Sequence, residues 1–219
     1  PRAPAPVPVA RRAHLAGGVA AEIPVDRPRP RVLDGVGREY RCGWSAELTA
    51  GLHRLAQREG VTLYMALVAG YAAVLARHAR LDDLVIGASV ANRPRPEFEA
   101  MAGFFVNLLP VRVDLQGDPT FGTLMARVKQ SCLAGYAHQD TPFESLIDAL
   151  APVRDLSRTP IFQTLFVLLN APPASARLAG LEIIPVPLAN RTAKFDVTLL
   201  AEEVAGELRW IAEYRTELY

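Results

Sequence analysis

The segment AHQDTPFESL, Ala137–Leu146, joins two apolar stretches and divides at its midpoint. Thr141, Pro142, Phe143 and Glu144 have the form of a helix start: a capping hydroxyl, a proline at the first helical position and a glutamate three residues past the cap. Phe143, Leu146, Ile147 and Leu150 then share one face of a short helix. His138, Gln139 and Asp140 have no such reason. Asp140 suits the positive end of that helix, whereas an imidazole and an amide need partners from elsewhere.

Upstream, Phe121, Leu124, Met125, Val128, Cys132 and Tyr136 recur at helical spacing. His138 falls about a quarter-turn or more off that stripe, at a period of about 3.6 residues. FFVNLLPVRVDL and DDLVIGASVA are apolar enough for strands, and Asn107 inside the first is an amide that costs about 1–3 kcal/mol if buried without partners. It serves either as a satisfied structural residue or as part of a tunnel lining. Residues from about Thr62 to Ala79 predict a helix apolar on every side and hence enclosed. Ser45 caps a helix bearing Leu48, Leu52 and Leu55, and Gly60 ends it. Residues 1–36 are rich in Pro and Arg and read as a connecting strap, with 37–219 as the domain proper.

Downstream, IFQTLFVLLN is continuous enough for a strand covered on both faces. LEIIPVPL suits an edge strand because of its prolines. FDVTLLAEEVAGELRWIAEY alternates on both sides of Gly206 and predicts a hairpin. The alternation of helices and strands gives an α/β fold with a mixed sheet and flanking helices.

The 219 residues carry a net charge of +1 without long runs, so no field gathers nucleic acid or an acidic membrane surface. The longest apolar run, Leu63–Ala76, is shorter than the roughly 20 residues that span a bilayer. The prolines of PRAPAPVPVARR break any signal-peptide core. Cys132 sits at an apolar helical position and reads as a reduced thiol, placing the chain in the cytoplasm. His14, His53, His78 and His138 lack metal-site spacing, so no metal is expected. The H-x-x-x-D match at His78 and Asp82 reads as a solvated helix end. Arg154, Asp155, Leu156, Ser157, Arg158, Thr159 and Pro160 form a polar loop of the kind closed by local ion pairs.

Together, VIGASVANRPRPEFEAMAGFFVNLLPVR, HQDTPFE and RDLSRTPIFQ resemble, in order, the late motifs of the condensation domains of nonribosomal peptide synthetases. Gly103, Phe105, Val106, Asn107 and Arg112 match a segment close to IGxFVNTxxxR, with Leu108 in the usual Thr place. His138–Glu144 match HQDxPFE; Arg154, Asp155, Ser157, Arg158 and Pro160 match RDxSRNP, with Thr159 replacing Asn. KFDVTLL, Lys194–Leu200, resembles a stretch near the family's end. The HHxxxDG motif of such domains has no counterpart in this sequence, so the expectation is a C-terminal lobe alone.

The resemblance implies a chloramphenicol-acetyltransferase-like lobe, normally half of a V-shaped pseudodimer. The partners it implies are an N-terminal condensation lobe, donor and acceptor peptidyl carrier proteins and neighbouring synthetase domains. No cofactor binds directly; substrates ride on carrier-protein phosphopantetheine. The activity implied is amide formation between donor acyl and acceptor aminoacyl thioesters, with the lone lobe inactive and no catalytic residue assignable in it. His138, Gln139, Asp140 and Asn107 are the tunnel candidates. Arg93, Arg112, Arg154, Asp155, Ser157 and Arg158 are candidates for lobe contact or structure. The alternatives are a noncatalytic module that recruits a tailoring enzyme and a CoA-dependent acyltransferase of the same fold.

Overall fold

Six strands form one mixed sheet: β1 (Gly37–Trp44), β2 (Asp83–Val90), β3 (Asn107–Asp114), β4 (Thr164–Leu169), β5 (Val197–Val204) and β6 (Glu207–Arg215). Their order across the sheet is β1-β6-β5-β4-β2-β3. The computed structural model describes residues 15, 17, 18, 20–93, 95–150, 155–169, 181, 186 and 191–219. β4 runs parallel to both neighbours, and the other pairings are antiparallel. The continuous apolar run of β4 therefore sits at the centre, where both faces are covered. Pro110 is tolerated because β3 is an edge strand. The predicted hairpin closes through Ala205 (φ 52°) and Gly206 (φ 82°), a left-handed pair that matches the twist of β5 and β6.

Three helices, α1 (Ala46–Arg58), α2 (Leu63–Ala79) and α3 (Phe121–Tyr136), cover one face. Ser45, Thr62 and Thr120 cap them, each side chain accepting a backbone N–H from three residues on. Their core face meets Leu84, Ile86, Leu109, Val111, Phe166 and Trp210. Phe166 is fully buried among the rings of Tyr64, Tyr71 and Trp210. Two stripe residues depart from expectation: Leu48 is 47% and Phe121 41% exposed, because Thr49 and Leu124 take the inward positions beside them. α2 is mostly enclosed, but Val74 faces outward.

On the opposite face, Val85, Phe162, Leu165 and Phe195 form a second cluster against Phe143 of α4 (Phe143–Leu150). Gly87 is needed there, since a Cβ would lie 2.2 Å from the Phe162 ring. Residues 20–36 lie along the domain: Ala21 is fully buried, Ala20 bridges Val85, and the Asp26 and Arg27 amides donate to the Leu218 carbonyl. The expected LEIIPVPL strand falls mostly outside the described residues; Leu181 and Val186, the two described, are exposed and outside any strand. No single helix among the described residues is long and apolar enough to cross a membrane.

Candidate functional site

α3 ends at Tyr136, and the backbone turns through Ala137–Asp140 before α4. The His138 and Gln139 amides close back onto the carbonyls of Gly135 and Tyr136, and the Thr141 amide donates to the His138 carbonyl at 3.1 Å. This is a tight corner on a helix end.

The cap on α4 differs from the sequence expectation. The helix begins at Phe143, and its first N–H donates to Asn107 Oδ1 at 3.2 Å. Among the described residues the Thr141 hydroxyl accepts no bond from Glu144, so the capping box does not form. Asn107, at the first position of β3, replaces it. Its Nδ2 donates to the carbonyls of Gln139 (2.7 Å) and Thr141 (2.8 Å), and its Oδ1 also accepts from the Leu108 amide (3.0 Å). Every bonding position of the amide is used.

Beside this joint lies a cavity of about 260 Å³ whose walls include Asn107, Asp140, Phe143, Glu144, Phe104 and Asn92. Asn92 has left-handed backbone (φ 51°), and its buried Oδ1 has no hydrogen-bond partner. The loop that carries Phe104 is held by Arg93, which donates to the carbonyls of Phe98 and Met101 and lies 4.2 Å over the Phe105 ring. Phe105 in turn stacks on Phe98, while Phe104 stands 94% exposed on the rim. Sequence reasoning misses Phe104; its only signal is an aromatic pair where one ring is enough to fill a core position.

Of the sequence candidates, Asn107 and Asp140 therefore share the cavity. His138 and Gln139 are half-buried in the same corner and do not line it. Arg112 points elsewhere, to Asp83 on the neighbouring strand (Nε–Oδ1 2.9 Å), and its own carbonyl accepts from Ser131. That carboxylate raises the Arg112 pKa above its ordinary value.

Asp155, Ser157 and Arg158 form a separate structural latch. Asp155 Oδ1 accepts from the Ser157 hydroxyl (2.7 Å) and amide (2.8 Å), and these bonds pull its pKa below the ordinary carboxylate value. Arg158 pairs with Glu22, and the Ser157 carbonyl accepts from Arg29, which also forms a bidentate pair with buried Asp196. Arg154 lies outside the described residues. Cys42 and Cys132 are both unpaired; burial pushes the Cys132 thiol up to about 12, which leaves it inert as a nucleophile at neutral pH.

The family model of the condensation domain matches residues 13–219. The chain belongs to the condensation domain family. Among its relatives are a linear gramicidin synthase from Brevibacillus parabrevis, 42% identical over 95% of this chain, and malpinin synthetase from Mortierella alpina, 40% identical over 95%. The chain spans only 4% and 3% of the lengths of those two proteins. Among solved structures, the X-domain from teicoplanin biosynthesis superposes with a TM-score of 0.87 at 28% identity, covering 96% of this chain and 49% of that one. The same kind of domain in a complex with OxyB gives 0.84 at 27% identity, covering 95% of this chain and 47% of that chain. The condensation lobe seen here is thus matched along nearly its whole length by about half of each such structure, and its mixed sheet with flanking helices is the fold expected from the motifs.

Proposed function

We propose that this lobe provides one wall of a condensation site that makes an amide between two carrier-bound thioesters in nonribosomal peptide synthesis. The observation that carries the reading is the meeting of two motif residues from distant segments, Asn107 and Asp140, at one cavity. The acceptor amine nitrogen attacks the donor thioester carbonyl; the C–N bond forms, the C–S bond breaks, the thiol leaves and the nitrogen loses a proton. Because a thioester is already activated, holding both reactants in place supplies much of the acceleration. The corner offers the Asp140 carboxylate for a hydrogen bond to the amine. At about 260 Å³ the cavity falls below the roughly 300–1,000 Å³ usual for a small-molecule site, which suits a site completed by a second lobe. On this reading residues 1–36 connect the lobes, the lone lobe is inert, and donor and acceptor arrive on phosphopantetheine arms in the cytosol.

The test is to supply the complete two-lobed domain with a donor on a carrier protein and an aminoacyl acceptor on a second one. Mass spectrometry should find the amide on the acceptor carrier, and no product when the donor is presented on free CoA. Intact donor thioester with no amide sinks the reading. A second reading, recruitment of a tailoring enzyme, is favoured by the likeness to an X-domain described in a complex with OxyB. A domain that binds an oxidase tightly and makes no amide supports it.

A further inference from the structure

The proposed reaction needs a corner that keeps its place, and one side chain links that corner to the sheet. A primary amide has two N–H donors and two acceptor lone pairs. Asn107 directs both donors to carbonyls on either side of Asp140, those of Gln139 (2.7 Å) and Thr141 (2.8 Å). Both lone pairs accept backbone amides, that of Leu108 next to it in β3 and that of Phe143 at the start of α4. The base of this clamp is rigid, because Asn107 pairs with Val90 at the end of an eight-residue ladder between β3 and β2.

We propose that Asn107 is a positioning residue of the condensation site: by fixing the peptide plane before Asp140 and the one after Thr141 it aims the Asp140 carboxylate into the cavity, without itself bonding substrate. The inference rests on the condensation reading above. No other side chain meets the requirement at this position. Asp has the same shape but no donors, so the oxygen in place of Nδ2 would face two carbonyl oxygens; Ala leaves both carbonyls and the Phe143 amide without the partner they have now. Gln carries the amide about one methylene too far from the strand, a shift of about 1.5 Å.

Asn107→Asp in the complete domain, with loaded carriers, should lower kcat on the order of 100-fold, the effect of misplacing a reacting group by about 1 Å. KM for the loaded acceptor carrier should change by less than about threefold, since ground-state binding is not the target. The ratio of mutant to wild-type rate should also rise as pH falls. A carboxylate set among carbonyl oxygens protonates above its usual pKa of about 3.9 and then returns one donor. The other titratable and charged groups facing the pair, His138 and Asp140 on the corner, Glu144 on α4 and Arg93 on the adjoining loop, are present in both proteins, and the ratio removes their common contribution. A mutant with wild-type kcat, or a deficit that ignores pH, overturns the proposal.

Amide hydrogen exchange on the 219-residue chain carrying Asn107→Ala gives a readout independent of turnover. The expected result is faster exchange confined to residues 138–143, with the β2–β3 ladder protected as in wild type. Unchanged exchange at Phe143, or loss of protection across the whole sheet, overturns it. Should the wild-type domain make no amide while exchange stays confined to the corner, the condensation reading fails and the clamp survives.

Discussion

The strap is held by charge at its middle, and Asp196→Asn measures how firmly. Asp196 is 2% exposed and accepts both arms of Arg29; Arg215 Nε lies 3.8 Å from Oδ1, an oxygen that also accepts from Arg29. The Arg29 side chain is 11% exposed and that of Arg215 6%, so neither cation can recover its hydration when the carboxylate becomes an amide. Arg215 retains Glu217 at 3.7 Å, but Arg29 keeps only two neutral acceptors, the Ser157 carbonyl and the one oxygen of the new amide. Breaking a buried pair from one side costs about 3–5 kcal/mol. At a urea slope of about 2 kcal/mol/M the unfolding midpoint should fall by about 1.5–2.5 M. Adding Arg29→Met to Asp196→Asn should cost less than the sum of the two single changes, with a coupling of at least about 1 kcal/mol. Tryptic cleavage at Arg31 should quicken in the single mutant, since Arg27 and Arg29 each precede a proline and resist trypsin. A loss below about 1 kcal/mol, or strict additivity, refutes the view that these charges dock residues 20–36 on the lobe.

Three further outcomes follow from individual contacts. Gly87→Ala should destabilise by about 1–3 kcal/mol in urea unfolding, because the new methyl meets a fully buried ring; an effect within about 0.5 kcal/mol would mean Phe162 moves freely. The Asp155 turn should weaken in acid: its folded pKa is depressed by Ser157, so its contribution is present above the unfolded value of about 3.9 and is lost as pH falls through the folded one. Asn at 155 can still accept both Ser157 bonds, so the urea midpoint of wild type relative to Asp155→Asn should decline between pH 6 and pH 3, and a pH-independent difference would contradict this. Iodoacetamide at pH 8 should alkylate exposed Cys42 and spare Cys132 until the chain unfolds, as read by peptide mass.

Most of the fold was legible because local signals agreed. The β4 run, the Gly206 hairpin, the Ser45 cap and the start of the helix near Thr62 each depend on neighbours within a few residues, and each formed where expected. The start of α4 misled for the opposite reason. Thr141 and Glu144 satisfy a local rule, but a strand residue 36 positions away from Phe143 captured the helix N–H first. Tertiary geometry of that kind leaves no mark in a single sequence. For the same reason the motif arginine at 112 gave no sign of turning to Asp83, and His138 and Gln139 could not be told from Asp140, although only the last lines the cavity. The resemblance located the corner, and the structure sorted its members.

The most direct measurement is the single-turnover rate of amide formation by the complete domain carrying Asp140→Ala, beside its melting temperature. A hydrogen bond to a charged group is worth about 1.5–3 kcal/mol, or roughly 10- to 150-fold in rate. Asp140 is exposed, so melting should move little. A rate reduced within that range at wild-type stability is the predicted result; wild-type turnover would show that this corner stands outside the chemistry.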